Sequence, residues 1–314
     1  MGKYAMAIHG GAGTILKKSM TPELEKRYRH ALQSALDAGF AILENGGAAL
    51  EAVKVASVSL EDDPLFNAGK GSVFTAEGIN EMDAAIMDGK TLAAGAVAGV
   101  RNVRNPVMLA EQVMLHSGHL FLSGKGANEF AVKQGVPLEP DDYFYTQFRY
   151  DQLKEIMGSD DYVLDHSGDT IEKKFGTIGA VACDKEGNIA AATSTGGMTN
   201  KQYGRIGDSP VIGAGTYANN KTCAISCTGH GEPFLRAVVA YDVSCLMEYK
   251  NMSLLAACEE VVLKKLVTIN GEGGLIGVDA QGNTALVFNC EGMYRGIKSS
   301  DGTECVSIYK EDTK

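Results

Sequence analysis

The stretch IEKKFGTIGAVACDKEGNIAAATSTGG runs from Ile171 to Gly197. It closes a polar, aperiodic segment (HSGDTIEKK, His166 to Lys174) and then changes character at Gly176-Thr177. TIGAVACD and NIAAATST are apolar runs joined by Lys185-Glu186-Gly187, the pattern of a hairpin. Neither run alternates apolar with polar residues. Strands of that kind are buried on both faces, so their sheet must be covered on each side.

The same design recurs downstream. TCAISCTGHGE (Thr222 to Glu232) reads as a strand ending in a glycine turn, and GLIGVDAQGNTALVFN (Gly274 to Asn289) as a second hairpin. Between them, Glu232 to Tyr249 and Ser253 to Leu266 have helical spacing. Upstream, YAMAIHGGAG (Tyr4 to Gly13) is a strand entering a glycine turn, which makes His9 a turn residue. Thr21-Pro22-Glu23 is a helix start, with Thr as cap and Pro at the first helical position. That helix stops at Gly46-Gly47, and a second covers Ala48 to Asp62. Asp63 to Phe74 is a glycine-rich loop entering a strand, Glu81 to Val100 gives two strands around Asp88-Gly89, and Pro106 opens a helix to about Ser117. Short helices follow to about Met157, and the segment from about 158 to 176 reads as a linker. Hairpins interleaved with helix pairs predict two stacked sheets with helices on both outer faces, an αββα order.

Composition limits the function. Of 314 residues 45% are hydrophobic, enough for a large core. Lys and Arg total 29 against 39 Asp and Glu, a net charge of −10 with no basic run, so nucleic acid is not an expected partner. No stretch approaches the ~20 apolar residues of a membrane helix, and MGKYAMAIHGG is too short for a secretory core, so the expected location is cytoplasmic. The seven cysteines, all after Thr177, read as reduced core residues. Cys223 and Cys227 share a face of one strand without a second Cys/His pair, which is not a zinc pattern.

Common catalytic signatures are missing. There is no G-x-S-x-G elbow, dinucleotide or phosphate loop, or H-E-x-x-H, and no histidine stands beside an obvious Ser or Cys. Threonine remains. In an antiparallel hairpin Thr177, at the start of one strand, lies near Thr195, at the end of the other. A hydroxyl is a weak nucleophile without a base. A cut before Thr177 would give it a free α-amine, with an ordinary pKa of about 7.7–8.0, two bonds from its own hydroxyl. The plainer reading is a strand entry, since Thr favours strands.

GTIGAVACDKEGNIAAATSTGGMTNKQYGRIGDSPVIGAGTYANN, with SCTGHGE, NGGAALEAVKVASVSLEDDPLFNAGKGSVFT and the opening IHGGAG, closely resembles the plant-type L-asparaginase/isoaspartyl peptidase family of N-terminal nucleophile hydrolases. The likeness covers nearly the whole chain and is weakest from about Gly118 to Lys174. It implies one αββα domain over residues 1–314, made as a precursor that cuts itself between Gly176 and Thr177. The pieces 1–176 and 177–314 would then pair into an (αβ)2 assembly. By that resemblance Thr177 is the nucleophile and Thr195 its hydroxyl partner. Thr228 and Gly229 are oxyanion donors, and Asn67 faces the reaction centre. Arg205 and Asp208 grip the substrate's α-carboxylate and α-ammonium, with Gly231 as a backbone acceptor. A zwitterionic substrate end does need a planar cation and an anion together. A surface salt bridge would use the same pair. Backbone carbonyls of Leu60, Glu61, Asp63, Phe66, Ala68 and Lys70 match a loop that holds sodium, although an ion-free turn needs no different residues. No cofactor is expected for the chemistry. The expected substrates are the small molecules asparagine and β-aspartyl dipeptides. The rivals are glycosylasparaginase, which typically has Asp before its nucleophile where this chain has Gly176, and a non-cleaving binding protein of the same fold.

Overall fold

The computed structural model describes residues 2–13, 15, 17, 20–158 and 176–312, so the linker expected at 158–176 lies outside the described residues except at its two ends. The sequence signals set the first helix. Thr21 accepts the Leu24 N–H on its hydroxyl, Pro22 occupies the first turn, and α1 runs Pro22–Glu44. The other helices are α2 (Ala49–Glu61), α3 (Pro106–His116), α4 (Gly124–Gln134), α5 (Asp141–Phe144), α6 (Gln147–Gly158), α7 (Gly231–Ala237), α8 (Val239–Lys250) and α9 (Leu254–Glu259). Among the described residues no helix is long and apolar enough to cross a membrane.

The strands are β1 (Ala5–Gly13), β2 (Met82–Asp88), β3 (Ala94–Val100), β4 (Phe121–Ser123), β5 (Ile178–Cys183), β6 (Ile189–Thr195), β7 (Thr216–Ala218), β8 (Cys223–Gly229), β9 (Gly273–Asp279), β10 (Thr284–Phe288), β11 (Gly292–Ser299) and β12 (Glu304–Tyr309). They form one sheet in the order β12-β11-β1-β5-β6-β2-β3-β4 and a smaller one in the order β10-β9-β8-β7. All neighbours are antiparallel except β3 and β4.

Side-chain alternation along these strands builds three apolar layers. Met6, Ile8, Ala180, Ala182, Ala190 and Ala192 pack beneath α1 to α3. Ala5, Ala7, Val181, Ala191, Ala224 and Ile276 fill the space between the sheets. Cys223, Ile225, Cys227 and Leu275 pack under Val239, Val243 and Ala257. Three buried layers separate four structural ones, the αββα sandwich of the N-terminal nucleophile type, and the unalternating apolar strands follow from it.

Several local readings change. The helix expected through Glu232 to Tyr249 breaks at Val238, whose φ of 50° is left-handed. That conformation costs a β-branched residue about 1–3 kcal/mol. The break creates a second helix start, where the Ala240 and Tyr241 N–H groups bond the carbonyls of Ala214 and Gly213 at 3.1 and 2.8 Å. After Glu259 the expected helix widens into a π turn over Glu260–Lys265. The strand expected after the glycine-rich loop is reduced to isolated bridges, Phe74 with Asn80 and Thr75 with Lys201. The hairpin β11–β12 and the short β4 and β7 had no clear sequence signal. His9 is not a turn residue: β1 continues through Gly13, with a register shift between His9 and Gly11.

The topology brings chain ends together. The far end of β1 lies beside the start of β5, because His9 pairs with Gly179. The end of β6 lies beside the same start, because Ser194 pairs with Ile178. From the smaller sheet, the end of β8 reaches β1, where the Ala12 N–H donates to the Thr228 hydroxyl at 3.2 Å.

Candidate active site

Thr177 precedes β5 and is buried. Its hydroxyl donates to Thr195 Oγ1 at 3.2 Å, so the hairpin brings together the two threonines that its pattern singled out. Thr195 Oγ1 in turn donates to the carbonyl oxygen of Gly176 at 3.0 Å and accepts the Gly197 N–H at 3.0 Å. Asn67 donates to the same Gly176 oxygen at 2.8 Å and to Gly197 O at 2.7 Å. The Val73 N–H donates to Asn67 Oδ1 at 2.9 Å, which fixes the amide with its nitrogen toward Gly176. The carbonyl just before Thr177 thus receives two donors. Gly176 is required by space: a Cβ there would lie 2.4 Å from the Asn67 Cβ. At Gly196 a Cβ would lie 2.4 Å from Asn67 Oδ1.

Lys201, which the sequence did not single out, holds this turn from below. Its ammonium is buried and donates to Gly196 O at 3.0 Å and Glu81 O at 2.8 Å. Burial lowers its pKa, partly opposed by the nearby Asp83 carboxylate.

The charged end gathers around Gly231. A Cβ on Gly231 would lie 2.8 Å from Arg205 Nη2 and 3.0 Å from Asp208 Oδ1, so these three predicted residues converge. Arg205 and Asp208 do not form the plain salt bridge that was the alternative. Arg205 binds Glu232 through two bonds, Nε to Oε1 at 2.9 Å and Nη2 to Oε2 at 3.0 Å. Glu232 also meets His230 Nε2 at 3.2 Å, and the His230 and Arg205 hydrogen bonds hold its carboxylate below the usual range. Glu232 was missed because its partner Arg205 lies 27 residues away in sequence. Asp208 is buried, its Oδ2 has no hydrogen-bond partner among the described residues, and burial pushes its pKa up to about 7.

Thr228 and Gly229 end β8 at the same end of the fold, and no hydrogen bond joins either to Thr177 among the described residues. Because Thr228 accepts at its hydroxyl oxygen, its own hydrogen remains to donate. Gly229 has φ 149°, and a Cβ there would meet Glu272 O at 2.4 Å.

The loop after α2 closes tightly on backbone carbonyls. Cβ atoms on Gly69 and Gly71 would lie 2.3 Å from Glu61 O and 2.1 Å from Phe66 O. The carbonyls of Asp63 and Ala68 each accept one turn N–H, leaving a second lone pair. Such neutral oxygens fit a hard monovalent cation. The Asp62 and Asp63 carboxylates diverge. Asp62 binds Arg104 and the Tyr143 hydroxyl, while Asp63 accepts the Leu65 N–H. The Lys70 ammonium lies over the Tyr143 ring.

The arrangement can direct a hydroxyl at a carbonyl whose oxygen is already held by donors, and it gathers a cation and a carboxylate around Gly231. A family model described as asparaginase matches residues 2–308. The isoaspartyl peptidase of Salmonella typhimurium is 52% identical over 313 residues, spanning 99% of this chain and 100% of the relative. That of Escherichia coli is 51% identical over 313 residues, spanning 99% and 98%. The human isoaspartyl peptidase/L-asparaginase is 42% identical over 310 residues, spanning 98% and 97%. These matches run through both ends of the site, and on them the chain belongs to the asparaginase family.

Proposed function

We propose that this protein is a self-processing threonine hydrolase acting on the side-chain amide of L-asparagine and on β-aspartyl dipeptides. The observation that carries this reading is the Gly176 carbonyl, held at 3.0 and 2.8 Å by Thr195 and Asn67, beside the Thr177 hydroxyl. The Thr177 oxygen attacks the Gly176 carbon. Negative charge builds on an oxygen that already has its donors, a contribution worth about 3–4 kcal/mol per donor. The Gly176–Thr177 C–N bond breaks, the hydroxyl proton passes to the departing nitrogen, and water opens the resulting ester. Residues 1–176 and 177–314 become separate chains, proposed to pair as (αβ)2.

The freed α-amine then serves as base for its own hydroxyl. Thr177 attacks the side-chain carbonyl of the substrate, with the Thr228 hydroxyl and the Gly229 N–H as oxyanion donors. Asp208 and the Gly231 carbonyl take the substrate ammonium. Arg205 takes the α-carboxylate, exchanging the Glu232 carboxylate for the ligand's. The α-ammonium of Thr177 protonates the leaving amine, and water hydrolyses the β-aspartyl ester. A sodium ion would be held by the carbonyls of Leu60, Glu61, Asp63, Phe66, Ala68 and Lys70, fixing the loop that presents Asn67. The chemistry itself uses no cofactor.

Mass spectrometry under denaturing conditions, paired with ammonia release from asparagine and amino-acid release from a β-aspartyl dipeptide, tests the reading. The expected result is two chains meeting at Gly176 and Thr177, with both substrates consumed. Full activity in an uncut chain, or a cut at another bond, overturns it.

A further inference from the structure

His9 is a buried titratable side chain that the reaction above does not use. Its Nδ1 lies 3.0 Å from the Thr177 carbonyl oxygen and its Nε2 lies 2.9 Å from Ser226 Oγ. A carbonyl only accepts, so Nδ1 carries the hydrogen. Burial lowers the ring's pKa to about 3, so the ring is neutral, Nε2 accepts, and Ser226 must donate to it. The line continues. Ser226 Oγ accepts from Thr193 Oγ1 at 2.7 Å, and Thr193 Oγ1 accepts from Thr216 Oγ1 at 2.7 Å, where the line ends because the Thr216 hydrogen is spent. Its members alternate between the sheets, with His9 and Thr193 on the larger and Ser226 and Thr216 on the smaller.

Two further observations distinguish this from a core histidine that merely fills space. The ladder between β1 and β5 ends at His9 and Gly179, two residues short of Thr177. The register shift in β1 thus leaves the Thr177 carbonyl outside the ladder, and the His9 ring reaches it. A Cβ on Gly179 would lie 2.0 Å from Ser226 Oγ and 2.5 Å from His9 Nε2, so a glycine in β5 keeps the passage open. Polar groups in an alanine-lined space between sheets are costly unless every member is paired.

We propose that His9 is a positioning residue for Thr177, holding the nucleophile's backbone through its carbonyl, and that the Ser226 hydroxyl, itself held by Thr193 and Thr216, fixes the His9 ring in that place. The proposal rests on Thr177 being the nucleophile. Two amide variants separate position from bulk. His9→Asn keeps an N–H near the Nδ1 position, and His9→Gln carries it toward the Nε2 position. Processing rate, and kcat and KM of the processed fraction, would be measured on the full-length protein, with melting temperatures alongside. His9→Gln is expected to lower kcat about 10²-fold with KM little changed, the scale of a small misplacement of a reacting group. His9→Asn should stay within about tenfold of the native kcat. Ser226→Ala should lower kcat in the native background and have no added effect in His9→Asn, which lacks the second nitrogen. Equal losses in the two His9 variants, or the same Ser226→Ala cost in both backgrounds, overturn the proposal. If His9→Gln does not fold, the Ser226 cycle decides alone. Activity in Thr177→Ala would sink the nucleophile reading itself. Loss there with native kcat in His9→Gln removes only the role of His9.

Discussion

At the threonine end of the site the hydroxyls of Thr177 and Thr195 and the amide of Asn67 all have short partners. Ten residues past the Thr195 end of β6 the character reverses. Asp208 has a buried carboxylate oxygen with no partner among the described residues, and Arg205 is held by the Glu232 carboxylate, which a bound substrate carboxylate would have to displace in the proposed reaction. A buried polar atom without a partner costs about 1–3 kcal/mol. The contrast teaches a division of labour. Reacting groups gain from being fixed beforehand, because reorganisation at the moment of reaction slows it. Recognition groups gain from being left incomplete, because a ligand can then supply the missing partner.

The sharpest test of that division is the nucleophile. Thr177→Ala should remain a single chain and lose turnover by at least about 10⁴-fold, read by denaturing gel and ammonia release. A cut at residue 177 in that variant would break the comparison at its fixed end. Next in size, Asn67→Ala removes one of two donors to the Gly176 oxygen. Processing should slow by about 10²–10³-fold, followed as the time course of the 177–314 fragment. An unchanged time course would show that the clasp on Gly176 is only structural.

The incomplete end should announce itself in pH. Below about 7 the buried Asp208 carboxyl keeps its proton and cannot meet an ammonium. KM for asparagine should therefore rise as pH falls through that value, by up to about tenfold per unit. Stability has the opposite sign. The raised pKa means that the protonated carboxyl favours the fold below its ordinary value near 4, and that contribution is lost as pH rises through about 7. A flat KM from pH 8 to 6 would remove Asp208 from ammonium binding. The smallest effect belongs to Glu232, which is half exposed. Glu232→Gln should free Arg205 and lower KM about two- to fivefold, the range of a solvent-screened ion pair. A raised KM would mean that Glu232 orients Arg205 rather than competing for it.

Legibility followed local periodicity. The pairing of Thr177 with Thr195 was visible because a hairpin has a period of two and a short turn fixes its register. Both-sided burial was visible because β5 and β6 do not alternate. His9 was misread because Gly-Gly after an apolar run signals a turn, whereas Gly10 here passes under Phe66, where a Cβ would lie 2.4 Å from the ring. The break at Val238 carries no Gly or Pro. It answers to carbonyls at Gly213 and Ala214 that only the tertiary fold brings near. Glu232 and Lys201 escaped for the same reason, since their partners lie 27 and 5 or more residues away across loops.

The order of the larger sheet has a consequence for the proposed cut. From β12 the strands come from the segment after Thr177 (β12, β11), before it (β1), after it (β5, β6) and before it again (β2, β3, β4). The two products would be woven through each other, with β1 hydrogen-bonded on both sides by the other product and β2 joined to β6. Cleavage would release an end without releasing a piece. Separation requires breaking three ladders at once, so the mature form would persist by a high unfolding barrier. Once unfolded, its halves would have to find each other at second order, having lost the tether that first placed β1 between its neighbours. The uncut chain is then a folding template used once, and the working enzyme a state reached more readily from that precursor than from its own parts.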